Sequence, residues 1–163
     1  PKEVIQSCHL EKATDPAIKF TKLSVVYNYD KEKITSCPED PDGGIIGVET
    51  NNRFFYQEHC GSQEYFLSGN RKFNLEHSIN NSLSLEIEPY GVVNISNWYL
   101  ISYSNINYIC MTSPVGPNGW SAATSQYYLI ENAFDDTQPL KAYFYFFDKK
   151  FIDKVRARGW TNG

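Results

Sequence analysis

No stretch of the 163-residue chain reaches the roughly 18–20 uninterrupted apolar residues that a membrane-spanning helix requires. No basic stripe is present either: the 15 Lys and Arg are scattered among 19 Asp and Glu, for a net charge of −4. A phosphate backbone could not be neutralised along such a surface, so nucleic acid is excluded as a partner class. The four cysteines, Cys8, Cys37, Cys60 and Cys110, include no CxxC pair, which removes support for a zinc knuckle or a thioredoxin-like redox site. Paired carboxylates, a Ser-His-Asp order, a P-loop and a glycine-rich dinucleotide fingerprint are all missing. No catalytic residue, cofactor or metal ligand is assigned, and catalysis stands behind two binding readings. The first residues, PKEVIQSCHLEK, lack a signal-type hydrophobic core, so the expectation is a mature, soluble protein.

What the chain has is aromatic surface: 12 Tyr, 10 Phe and 3 Trp, 15% of the residues. Wide flat side chains suit pleated sheets better than helices, and one domain spanning residues 1–163 is large enough for its own core. The most informative segment is Trp98 to Thr112, WYLISYSNINYICMT, in which two β-rich runs meet at Ser104-Asn105, residues that tolerate a tight reversal. This predicts a hairpin. In FTKLSVVYNYD, Leu23, Val25, Tyr27 and Tyr29 alternate with Lys22, Ser24, Val26 and Asn28, the pattern of a strand with one wet side. IIGVE, RFFYQEH, EYFLSG and RKFNL continue a meander, and SLSLEIE places Leu83, Leu85 and Ile87 on one face. SQYYLIE and KAYFYFF follow, giving about eight or nine strands in all. One helix is predicted, at DKKFIDKVRARGW, where Asp148 caps the start, Phe151, Ile152 and Val155 form a stripe, and Gly159 ends it.

Few groups suggest chemistry. His9 follows Cys8 and His59 precedes Cys60, but the spacings match no zinc module, and disulfided cysteines beside exposed histidines account for them. The acidic turn Glu39 to Gly44 holds three carboxylates without the EF-hand order, so it reads as a solvated turn that binds no metal strongly. Asp135-Asp136 before Thr137 likewise reads as a polar turn. Asn80-Asn81-Ser82 and Asn94-Ile95-Ser96 are glycosylation sequons, and with an even cysteine count they point to a secreted, oxidised protein. Four cysteines allow three disulfide pairings.

Phe54 and Tyr56 share one strand face, as do Tyr99, Ile101 and Tyr103, and Tyr143, Tyr145 and Phe147. If the sheet closes as a barrel of about eight strands, its interior is filled by side chains or holds one small ligand. The fold expected is all-β: an antiparallel meander closing as a barrel with one short C-terminal helix, with a β-sandwich as the alternative.

The segment NWYLISYSNINYICM resembles a lipocalin strand pair ending in cysteine, and GWSAATSQYYLIE is similar to the next lipocalin barrel strand, so the resemblance spans about residues 97–131. The family's glycine-x-tryptophan signature is absent from residues 1–50. In arthropod and apolipoprotein-D-like members the strand cysteine bridges to one near the N-terminus, which implies Cys8–Cys110 here and leaves Cys37–Cys60. The resemblance also implies a carrier. The expectation is a secreted barrel that takes up a small hydrophobic molecule through Trp98, Tyr103, Trp120, Tyr127 and Leu129, the aromatic-rich strands below the Pro114–Trp120 loop. Which alternate face points inward is left open by the sequence. The rival is a secreted β-sandwich that binds a protein or glycan through exposed aromatics and the same loop.

Overall fold

Lys19–Leu23 (β1) and Val25–Tyr27 (β2) form one extended stretch interrupted at Ser24, and its two halves pair into different sheets. The computed structural model describes residues 2–27, 45–61, 63–82, 97–114 and 124–148. Beyond the first stretch lie Ile45–Thr50 (β3), Arg53–Cys60 (β4), Gln63–Ser68 (β5), Arg71–Asn74 (β6) and a 3-10 turn at Leu75–His77. Ile79–Asn80 (β7), Asn97–Tyr103 (β8), Ile106–Pro114 (β9), Thr124–Glu131 (β10) and Lys141–Asp148 (β11) complete the strands. A helix at Lys2–Leu10 (α1) precedes them all.

One sheet has six strands in the order β1-β8-β9-β10-β11-β7, the other five in the order β2-β3-β4-β5-β6. All pairings are antiparallel except β7 with β11. The expected single meander is therefore two, β3 to β6 and β8 to β11, each linked through its first strand to the shared stretch 19–27. Among the described residues no ladder closes a barrel, and a sandwich is as consistent with the two sheets. The β8–β9 hairpin is explained locally. Ser104 and Asn105 both have left-handed backbones, φ 51° and 63°, which is the two-residue reversal whose twist suits flanking strands, and Trp98 faces Met111 across it.

The six-stranded sheet is covered on both faces. One face, with Trp98, Ile109, Met111, Tyr128, Ile130, Ala142 and Phe144, packs against Val48, Phe55 and Phe66 of the five-stranded sheet. The other, with Tyr99, Ile101, Tyr108, Cys110, Tyr127 and Leu129, lies under Val4, Ile5 and Cys8 of α1. Each fully buried large apolar side chain contributes about 1.5–3 kcal/mol, so both layers matter to stability.

Helix α1 was not expected; the sequence pattern pointed to a helix only at the C-terminal end. Val4, Ile5 and Cys8 are spaced to form one buried stripe, but nine residues with two β-branched members make a weak helix that needs its tertiary contacts. The helix ends in a double reversal: Glu11 takes φ 55°, its N–H donates to Cys8 O at 3.3 Å, and Lys12 N donates to Ser7 O at 3.1 Å. The Cys8–Cys110 disulfide, 102 residues apart in sequence, staples this helix to β9. Cys60 is also disulfide-bonded. Its expected partner Cys37, the strand at 83–88, the acidic turn 39–44, Asn94, the loop residues 115–120 and the helix beyond Asp148 lie outside the described residues. Asp148 is the last residue of β11.

Candidate ligand site between the sheets

The core between the sheets has two unlike ends, and the strand registers define them. At the first end lie the β3–β4 turn at Asn51-Asn52, the β5–β6 turn at Gly69, and the loop from β10 to β11. That loop, residues 132–140, is held by two arginines. Arg71 Nη1 donates to the carbonyls of Asn132, Asp135 and Gln138 at 3.0, 3.0 and 2.9 Å, while Nη2 donates to Ala133 O at 2.8 Å and Ser68 Oγ at 3.2 Å. Arg53 donates to Phe134 O at 2.9 Å and to Asp136 Oδ1 at 2.6 Å. The Arg53 hydrogen bond holds the Asp136 carboxyl below its ordinary value. Asp135 caps the turn as its residue type predicts, accepting from Thr137 N at 2.9 Å and Thr137 Oγ1 at 2.6 Å. Ala133 enters the core and Phe134 meets Phe55 edge-on at 4.9 Å, so this end is plugged.

The second end is polar inside. Strand β4 turns Phe55 and Gln57 inward, β5 turns Glu64 and Phe66 inward, and β10 supplies Gln126 and Tyr128. Gln57 Nε2 donates to Glu64 Oε2 at 3.0 Å, and His59 Nδ1 lies 2.6 Å from Glu64 Oε1. The Glu64 side chain is only 12% exposed. Burial raises its carboxyl above the ordinary value, and the hydrogen bonds from Gln57 and His59 pull it part of the way back. Burial also raises the Tyr128 hydroxyl above its ordinary value, with the Glu64 and Glu76 charges adding to the shift. Trp98, fully buried, lies 6.2 Å ring to ring from Phe66. Its Nε1 has no hydrogen-bond acceptor among the described residues.

The residues expected to line a ligand site are divided by this geometry. Trp98 lies on the inner face of the six-stranded sheet, whereas Tyr127 and Leu129 lie on the opposite face beneath α1. Tyr103, half-buried on that opposite face, borders a shallow depression with Ala17, Lys19 and Asn107. Trp120 lies outside the described residues. Tyr127 is occupied in a local contact, its hydroxyl 2.7 Å from His9 Nδ1 at the end of α1. Asn80 is half-buried on β7, and its Oδ1 accepts from Ser82 N at 2.9 Å. Cys8 and Cys60 are disulfide sulfurs, so neither offers the thiolate that a zinc reading of the Cys8-His9 and His59-Cys60 pairs requires.

Sequence reasoning missed Gln57, Glu64, Gln126 and Tyr128. The alternation in SQYYLIE separates Gln126, Tyr128 and Ile130 from Tyr127 and Leu129. Both sets are apolar enough to be buried, so the pattern gives the two faces without saying which one meets the second sheet.

Comparison with protein families, with curated proteins and with solved structures finds no match to this chain.

Proposed function

We propose that the chain is a secreted carrier that binds a small, mostly apolar molecule between its two sheets, in a barrel-like interior. The observation that carries this reading is the asymmetry of that interior. One end is plugged by an arginine-held loop, while the other combines aromatic surface from Phe66, Trp98 and Tyr128 with a few polar groups, the buried Gln57 and Gln126 and the half-buried Glu64. Small-molecule sites have this composition: apolar walls for affinity, sparse polar groups for orientation. A lipocalin-like barrel accommodates it, with residues 19–27 serving both sheets. Secretion is supported by the Cys8–Cys110 disulfide and by the sequons at Asn80 and Asn94. Among the described residues no helix is long and apolar enough to cross a membrane.

A second reading has its own observation. On the outer face of the five-stranded sheet Phe54 is 42% exposed and stacks beside Tyr56 at 6.1 Å, and Val26 is 46% exposed. Such a platform favours a sandwich that binds a protein or glycan. Native mass spectrometry of protein from its own source separates the two. A small molecule retained in the native spectrum and lost on denaturation supports the carrier. A ligand-free chain that also fails to bind any apolar probe supports the surface binder.

A further inference from the structure

We infer that the indole N–H of Trp98 is a ligand-binding donor and that the molecule it selects is a neutral one carrying a hydrogen-bond-accepting oxygen, such as a ketone or ester, on an apolar body. The inference rests on the carrier reading and adds the chemistry of the ligand to it.

Two observations lead to it. Trp98 is fully buried, and its neighbours Phe66, Met111 and Tyr128 belong to the inter-sheet core, so its donor lies away from water. That donor meets no acceptor among the described residues. Tryptophan N–H groups find a partner when buried, because leaving one without water or an acceptor is costly. A leucine or phenylalanine would fill the same core without that cost. An acceptor oxygen arriving with a ligand satisfies the group, and a hydrocarbon does not.

The charge of the ligand follows from the residues around it. The inward carboxyl in this region is Glu64, two residues from Phe66 on the same strand face, and the Phe66 ring lies 6.2 Å from that of Trp98. Arg53 and Arg71 are engaged by the loop at the far end. A carboxylate ligand would sit near Glu64, whose imidazole partner His59 is already engaged at 2.6 Å, and like charges in a low dielectric repel strongly. A neutral carbonyl accepts from Trp98 without that repulsion.

Three probes of similar size test this on the disulfide-intact chain: 2-acetylnaphthalene, 2-ethylnaphthalene and 2-naphthoate, with affinity measured by equilibrium dialysis. The indole proton of Trp98 is followed by NMR and assigned by its disappearance in Trp98→Phe. The ketone is expected to bind about tenfold more tightly than the hydrocarbon, the difference one buried hydrogen bond makes. It alone is expected to move the Trp98 indole proton downfield. In Trp98→Phe the preference for the ketone should shrink to within about twofold, since the donor is gone and an aromatic ring remains. If the ketone and hydrocarbon bind alike, or the ketone leaves the Trp98 signal unmoved, the donor assignment is overturned while the carrier reading stands. Tightest binding by naphthoate overturns the neutral ligand. Failure of all three probes overturns the carrier reading with it. Should Trp98→Phe not fold, the Trp98 indole is assigned by elimination with Trp120→Phe and Trp160→Phe, and that signal and the probe comparison decide.

Discussion

The ring of Trp98 in the six-stranded sheet meets that of Phe66 in the five-stranded sheet at 6.2 Å with planes tilted by 30°. This pair fastens the two layers together within their shared core, since both side chains are fully buried. Truncating either leaves a cavity that the surrounding strands cannot fill. Trp98→Ala and Phe66→Ala are each expected to cost about 3–5 kcal/mol in urea denaturation. The double variant should fall short of their sum by about 0.5–1.5 kcal/mol, the worth of a direct aromatic pair. Full additivity would show that the rings stabilise the sheets separately.

Arg71 reaches four carbonyls of the loop 132–138 with two nitrogens. A lysine keeps the charge but not the planar fork, so Arg71→Lys leaves several of those oxygens unserved. The expected loss is about 2–3 kcal/mol of stability. Hydrogen exchange gives the location: the amides of Asp135 and Gln138, which donate to Asn132 O and Asp135 O, should lose protection before those of β10. Unchanged exchange in the loop would mean that its own turns suffice to hold it.

Cys8 and Cys110 close a loop of 102 residues between α1 and β9. Replacing both by serine is expected to cost about 2–5 kcal/mol, chiefly by freeing the unfolded chain. Because α1 is a short helix whose stability comes from packing, its amides should exchange faster even where the sheets stay protected. A non-reducing peptide map that joined Cys8 to any cysteine other than Cys110 would refute the pairing.

Glu64 has a carboxyl raised above its ordinary value by burial, so the folded chain binds its proton more tightly than the unfolded chain does. Stability therefore falls as pH rises from the unfolded value of 4.5 through the raised folded value, because the buried group must ionise. Glu64→Gln removes this proton linkage. The variant should be least favourable relative to wild type below pH 4.5 and gain on it as the pH approaches neutrality, in melting temperatures followed by circular dichroism. A difference that stays flat across that range would show the carboxyl to be hydrated.

Among the described residues, the sequence alone determined most of the strands and the central reversal. Period-2 patterns around Leu23 and Val25, and through SQYYLIE and KAYFYFF, are set by local side-chain direction. Ser104-Asn105 carries its own turn chemistry, so the hairpin of β8 and β9 is legible without any tertiary knowledge. Wherever one face is wet, as at Lys22 and Ser24 beside Leu23, the inward side is legible too. The six-stranded sheet has no wet face at its centre, and there the sequence fell silent. Tyr127 and Tyr128 are equally aromatic neighbours, one under a helix and one between sheets, and only the packing of α1 distinguishes them. The helix itself depends on that packing, since Val4, Ile5 and Cys8 suit a helix only once a sheet is there to receive them. The same holds for the candidate site. Gln57, Glu64 and Trp98 lie on three strands and span 42 residues of chain, and their polarity becomes informative only when folding removes water from all three at once. Local pattern is written in neighbours along the chain, whereas burial is decided by what arrives from elsewhere in it.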